Sequence, residues 1–307
     1  MKGRVIKSTG SWYIVQVGDK AISARLKGKF KQDELKLTNP IAVGDWVEME
    51  EEAGQASAVI SQILPRENYV IRKSTRKQHF SHIIASNLDQ AILVITMKKP
   101  RTSLGFIDRF LVSTESFRIP AILVVNKMDQ LEGEDEDEWL QDVHDIYEPL
   151  GYTVLEVSAL TEQGLTEKFL PLIQGKSSLI AGHSGVGKST LLNALIPEAR
   201  QETKEVSGYS AKGVHTTTFA ELFALPEGGD LIDTPGIKEF GILDVEDNEL
   251  SHYFPEMRKY LGQCKYNNCT HVNEPGCVVL QKLEKGFIHP YRYQSYVNIL
   301  HEEDSHR

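Results

Sequence analysis

One stretch of this chain restricts its fold more than any other. Ser178-Leu179-Ile180-Ala181 is a short apolar run of strand character, Gly182-His183-Ser184-Gly185-Val186-Gly187-Lys188-Ser189 follows at once, and Thr190-Leu191-Leu192-Asn193-Ala194-Leu195 has helical spacing. Strand, glycine-rich loop and helix in that order make a phosphate loop. The glycines let backbone N–H groups turn inward around phosphate oxygens at a helix N-terminus. Lys188 would reach the β and γ phosphates, and the Ser189 hydroxyl would bind Mg2+. Residues 182–190, Thr190 included, are therefore expected at a nucleoside phosphate. Such a loop needs a parallel sheet behind it.

The surrounding sequence supplies one. Residues 88–97, 121–125, 152–157 and 230–232 are further apolar runs, with helix-length segments between several of them. That pattern predicts a doubly wound α/β sheet whose ligands sit at the carboxyl ends of the strands. Asp233-Thr234-Pro235-Gly236 falls at one such end, where the carboxylate can hold Mg2+ through its water shell and the Gly236 N–H can contact a γ phosphate. Asn126-Lys127-Met128-Asp129 falls at another. The Asp129 carboxylate can accept from both N1–H and the exocyclic amine of guanine, a donor pair adenine lacks. Lys127 can lay its stem along the base, and Asn126 can tie this turn to the phosphate loop. Ser158-Ala159, after residues 152–157, would offer a backbone N–H to guanine O6. The expected ligand is GTP or GDP with Mg2+.

The two ends of the chain read differently. Val5-Ile6 and residues 12–17, 21–24 and 45–49 are short strand-like runs separated by turns such as Gly18-Asp19 and Gly44-Asp45. This spacing suggests a small oligonucleotide-binding (OB-fold) β-barrel over residues 1–65, the alternative being a β domain with a merely solvated basic face. The formal charge of −9 argues against a nucleic-acid partner only until its distribution is read. Residues 1–38 hold nine basic and three acidic residues, and residues 65–80 five and one. The acid gathers elsewhere, notably in residues 132–138, a solvated loop or helix start. An RNA contact is therefore expected at the amino-terminal region, with stacking from residues such as Trp12 or Tyr13.

Beyond residue 241 lie the chain's three cysteines, in Cys264-x4-Cys269-x-His271-x5-Cys277. Three thiolates and an imidazole suit a closed tetrahedral Zn2+ site, structural because no position is left open. The turn Asn273-Glu274-Pro275-Gly276 would bring Cys277 back to the others, and a helix is predicted over 291–303. The reading divides the chain into residues 1–65, 66–241 and 242–307. A hydrophobic content of 40% with 25% charged residues excludes a wholly disordered or fibrous chain. No apolar run approaches the ~18–20 residues of a membrane helix, and residues 1–7 carry no apolar signal segment. A soluble, cytoplasmic monomer is expected, with neither membrane nor DNA as partner.

The order of the nucleotide motifs is circularly permuted. A standard G domain runs phosphate loop, switch threonine, Asp-x-x-Gly, Asn-Lys-x-Asp, Ser-Ala; here Asn126 and Ser158 precede Gly182 and Asp233. Strand ends can rebuild the same pocket if the old termini are joined, here through residues 160–177. The amino-terminal barrel, permuted G domain and Cys/His segment together resemble the small ribosomal subunit biogenesis GTPase family over essentially the whole chain. The resemblance implies GTP hydrolysis stimulated by the small (30S) ribosomal subunit, a role in its late maturation with rRNA contact, and zinc at the cysteines.

Residues 207–218 fall where switch I belongs. One of Thr216, Thr217 and Thr218 should complete Mg2+ coordination, with Thr217 preferred. The position after Gly236 is Ile237, which can do no water chemistry, so unaided hydrolysis should be slow. His215 is the nearest polar candidate for orienting the water, with His183 second. Switch II leads from Gly236 straight into the carboxy-terminal segment, so ordering by the γ phosphate could reposition that segment. A nucleotide-gated RNA-binding adaptor with incidental hydrolysis is the competing class. An ATPase or small-molecule kinase is disfavoured by Asn126 to Asp129.

Overall fold

The computed structural model describes residues 1–26, 40–52, 54, 56–73, 81–196, 220–234 and 248–305. Five strands, β1 (Lys2–Ser8), β2 (Tyr13–Val17), β3 (Lys20–Leu26), β4 (Trp46–Glu51) and β5 (Ser57–Ile63), pair in the order 1-2-3-5-4 and close through β1 and β4. Only β3 and β5 run parallel. Alternation along each strand turns Val5, Val15, Ala24, Val47, Met49, Ala58 and Ile60 into one buried interior. Gly3 sits where a Cβ would come within 2.6 Å of the Val15 side chain and 2.7 Å of the Gln16 carbonyl. This is the expected OB-type barrel. It corrects one expectation: Tyr13 is 2% exposed and belongs to the core, so it offers no face for stacking, whereas Trp12 is 43% exposed. The expected runs also omitted β5, whose polar Ser57, Ser61 and Gln62 dilute its hydrophobic signal.

Among the described residues several of the basic side chains are paired with acids. Arg4 pairs with Asp230, Lys7 with Glu221, Arg25 with Glu52 and Arg66 with the fully buried Asp45. Lys27, Lys29, Lys31 and Lys36 lie outside the described residues. Lys2 remains beside Trp46, its Nζ 5.0 Å from the ring centre, and Trp46 is itself exposed.

A hairpin of β6 (Tyr69–Lys73) and β7 (Ser81–Ser86), absent from the sequence expectation, connects the barrel to the main sheet. That sheet contains β8 (Gln90–Ile95), β9 (Ala121–Val125), β10 (Thr153–Glu156), β11 (Ser177–Ala181), β12 (Glu221–Ala224) and β13 (Asp230–Asp233), in the order 10-9-8-11-13-12. All its pairings are parallel except β12 with β13. Side chains alternate between two cores, as a sheet buried on both faces requires. Leu93, Ile95, Leu123, Val125 and Leu179 meet helices α1 (Leu104–Ser116) and α2 (Glu134–Tyr147). Ile92, Val94, Val124 and Ile180 meet the segment Leu165–Phe169, the short α3 (Leu170–Ile173) and α4 (Lys188–Leu195). The acidic run opens α2, where four carboxylates in the first turn favour the positive end of the helix dipole. At the far edge Lys7 of β1 pairs with Glu221 of β12, so barrel and sheet are continuous.

The carboxy-terminal part comprises the turn Leu250–Tyr253, α5 (Pro255–Arg258), α6 (Val278–Glu284) and α7 (Pro290–Ser305). Its core of Leu250, Phe254, Met257, Tyr296 and Ile299 includes Val112 from α1. A fully buried ion cluster seals the contact: Arg292 of α7 donates to Asp108 of α1 at 2.5 Å and to Glu256 at 2.7 Å. No described helix is long and apolar enough to cross a membrane.

Candidate functional site

The phosphate loop leaves β11 at Ala181 and enters α4 at Lys188. Two of its glycines are required by close approach. A Cβ on Gly182 would run into the Val94 carbonyl of β8, and one on Gly187 into the Asn126 amide; both residues have positive φ. Lys188 Nζ donates to the carbonyls of Gly182, at 2.6 Å, and His183, at 2.9 Å, which holds it over the loop. Ser184, Ser189 and Thr190 are exposed, Ser189 and Thr190 in the first turn of α4, while Val186 is buried beneath.

At the end of the adjacent strand β13, Asp233 is largely buried, and its Oδ1 has no hydrogen-bond partner among the described residues. Burial pushes the Asp233 carboxyl above the usual carboxylate range, opposed by the nearby Lys188 charge. Burial likewise pulls Lys188 down, opposed by Asp233. Each charge thus offsets part of the cost of burying the other. A divalent cation, or a water bound to it, is the group that the unpartnered Asp233 oxygen fits.

Asn126 joins three loops. It is buried at the end of β9, donates from Nδ2 to the Val186 carbonyl at 2.8 Å and accepts the Ala159 N–H at Oδ1 at 2.9 Å. Lys127 has a left-handed backbone, φ 67°, and its Nζ donates to the Lys99 carbonyl at 2.7 Å. Asp129 is exposed and accepts the Ser158 hydroxyl at 2.5 Å through one oxygen. The expected donors to guanine O6 are already engaged: the Ser158 N–H bonds the Gln163 carbonyl, and the Ala159 N–H bonds Asn126. A base at this position would share the Ala159 donor with Asn126.

His183 stacks on Phe106 of α1, ring centres 3.8 Å apart and planes inclined by 29°. Sequence reasoning passed over Phe106, since nothing in its spacing separates it from the helix's apolar positions. His215, Thr217 with its neighbours Thr216 and Thr218, Gly236 and Ile237 lie outside the described residues, as does the expected route from switch II to the carboxy-terminal segment.

The second cluster is compact. Cys264, Cys269, His271 and Cys277 bring their four ligand atoms within 4.8 Å of one another. His271 Nδ1 lies 3.6, 3.4 and 3.4 Å from the sulfurs of Cys264, Cys269 and Cys277. A tetrahedral ion with bonds of ~2.3 Å to sulfur and ~2.0 Å to nitrogen gives S···N edges of ~3.5 Å, so these four atoms fit a metal ion. Glu274, which sequence reasoning noted only as a turn residue, organises the loop. Its carboxylate accepts from the Thr270 N–H and hydroxyl, at 2.5 and 2.7 Å, and from the N–H groups of Val272 and Asn273, at 2.9 and 3.1 Å. These bonds lower its pKa to about 2 despite its partial burial. Burial pushes the Cys269 thiol up to about 12.

Residues 63–243 match the family model described as RsgA GTPase, and residues 2–59 match the RsgA N-terminal domain. The "Small ribosomal subunit biogenesis GTPase RsgA" of Cytophaga hutchinsonii is 52% identical over 309 residues, covering 100% of both chains. That of Flavobacterium johnsoniae is 47% identical, covering 100% of this chain and 94% of its own. Among solved structures, YjeQ from Thermotoga maritima superposes with a TM-score of 0.76 at 35% identity, covering 98% of this chain and 97% of its own. YloQ, described as a circularly permuted GTPase, gives 0.75 at 32% identity, covering 100% and 96%.

Proposed function

Since the chain belongs to the RsgA GTPase family and is a GTP-hydrolysing enzyme, we propose that it acts in assembly of the small ribosomal subunit, binding GTP between the phosphate loop and the Asn126–Asp129 turn. The observation that carries the placement is Asn126, whose two hydrogen bonds set the base turn, the Ser158-Ala159 loop and the phosphate loop around one space. Asp129 gives guanine specificity, since an adenine would leave its free oxygen unpaired. Lys127 covers a face of the base.

Hydrolysis follows from positioning and charge. Lys188, aimed by the Gly182 and His183 carbonyls, reaches the phosphate oxygens, and loop N–H groups at the start of α4 bind the β phosphate. Ser189 and Thr217, with Asp233 acting through metal-bound water, would hold Mg2+, which would neutralise charge on the phosphate oxygens. Thr217 and Gly236 contact the γ phosphate, and His215 orients the attacking water. With Ile237 beside Gly236, turnover is slow until the ribosomal subunit fixes the switches.

The remaining parts serve docking. The barrel of residues 1–65 presents Trp12, Trp46 and Lys2 to rRNA, residues 66–241 carry the chemistry, and residues 242–307 fold around one structural zinc ion. Cys264, Cys269, His271 and Cys277 leave no open coordination position. The protein works in the cytoplasm as a monomer, with neither DNA nor membrane as partner.

The test is phosphate release by the purified protein with and without small subunits, with large subunits and ATP as controls. The expected result is a low basal rate that rises strongly only with GTP and small subunits. Subunit binding with no increase in rate would instead assign a nucleotide-gated adaptor.

A further inference from the structure

Resting on the placement of phosphates at residues 182–189, we propose that Phe106 is a positioning residue of the phosphate loop, acting through His183. The His183 imidazole stacks on the Phe106 ring at 3.8 Å. The carbonyl of the same residue, together with that of Gly182, holds Lys188 Nζ. A ring contact from outside the loop thereby fixes the peptide that aims the lysine. Asn126 anchors the loop later, at Val186. Between these anchors Ser184 and Gly185 are exposed.

The platform under His183 is rigid. Phe106 lies in the first turn of α1, where its N–H is capped by Ser103 Oγ at 3.3 Å. One turn of chain before it, the Thr102 carbonyl accepts the Trp139 indole N–H at 3.2 Å. Two residues after it, Asp108 accepts the Tyr147 hydroxyl at 2.7 Å and the buried Arg292 guanidinium. Arg292 belongs to α7 and also binds Glu256, so α1 cannot shift without breaking a buried charge cluster. Phe106 itself is only partly buried, unlike Ile107 and Phe110 on the core face. Its ring packs on the edge of the core and also stacks on the loop's His183. Through α1 the carboxy-terminal part becomes a determinant of how firmly the loop is held, by a route that does not pass through switch II.

Aromatic stacking of this kind is worth a factor of about 3 to 10 in an equilibrium constant. The experiment measures the dissociation constant of a fluorescent GDP analogue for full-length wild type, Phe106→Leu, Phe106→Tyr, His183→Ala and the Phe106→Leu/His183→Ala double variant. Melting temperatures and KM and kcat for GTP are taken alongside. Phe106→Leu and His183→Ala should each weaken GDP by about 3- to 10-fold, Phe106→Tyr should restore binding, and the double variant should be no weaker than the worse single one. KM should rise by the same factor while kcat falls by less. Wild-type affinity in Phe106→Leu, or losses that multiply in the double variant, would overturn the proposal. Should Phe106→Leu melt early, the pair Phe106→Tyr and His183→Ala carries the test: Tyr must retain binding that Ala loses. If the wild type binds no guanine nucleotide, the nucleotide site itself fails, which is a separate result.

Discussion

In the proposed site the Asp129 carboxylate is the group that would tell nucleotides apart, with one of its oxygens accepting the Ser158 hydroxyl. Replacing that carboxylate by an amide puts a donor against the donors of guanine. Asp129→Asn should therefore lose ~100-fold in GTP affinity and gain affinity for xanthosine triphosphate, whose C2 carbonyl accepts from the amide. Competition titrations with the two nucleotides measure both changes. Asn126 tests the same pocket from beneath. Asn126→Ala leaves the Val186 carbonyl and the Ala159 N–H without their partners, and at about 1–3 kcal/mol for each buried unsatisfied group it should cost about 2–6 kcal/mol in stability. Denaturant unfolding gives the number. Equal midpoints for wild type and variant would show that the three loops are not held together by this side chain.

Among the elements, Arg4 links barrel to sheet beside the Lys7–Glu221 pair, and Glu274 orders the Cys/His loop. Arg4 in β1 donates to Asp230 at 2.6 Å and to Ser177 at 2.6 Å, reaching the first residues of β13 and β11, the strands that end at Asp233 and the phosphate loop. Arg4→Ala should destabilise by about 1–2 kcal/mol, since the pair is largely sheltered from water, and lower the melting temperature by several degrees. In the Cys/His loop, Glu274→Gln replaces a four-bond acceptor by a weaker one. Metal retention against a chelator should fall by about 10-fold while the helices remain formed. Because the folded pKa of Glu274 lies below its unfolded value, the stability it contributes is present above pH ~4.5. It is lost as pH falls toward about 2.

For the whole molecule, separate hydrophobic cores predict separable unfolding. The carboxy-terminal core is small and gathers around the four ligand residues, whereas the two cores of the main sheet do not include them. Chelation should melt residues 248–305 at lower temperature and leave the sheet folded, giving two transitions by calorimetry where the metal-loaded protein gives fewer. A single transition that moves as a unit would show that the buried Arg292, Asp108 and Glu256 cluster couples the parts completely. Either result reads the strength of the α1 contact.

The sequence alone determined the chemistry-bearing loops and the strands that carry them. Residues 182–189 and 126–129, the Cys/His quartet and the central parallel strands were legible because each is local: consecutive residues, or continuous apolar runs buried on both faces. Even the permutation was legible, being a matter of order along the chain. Tertiary structure alone decided what depends on distant partners. It buried Tyr13, paired Arg4 and Arg66 internally, and formed β12 and the hairpin β6–β7, short runs whose strand character shows only once neighbours supply hydrogen bonds. It also placed Phe106 under His183, and Arg292 against Asp108, 184 positions away in the chain. Local pattern fixes which surface a residue prefers, but which partner waits at that surface is set by how the strands and helices assemble.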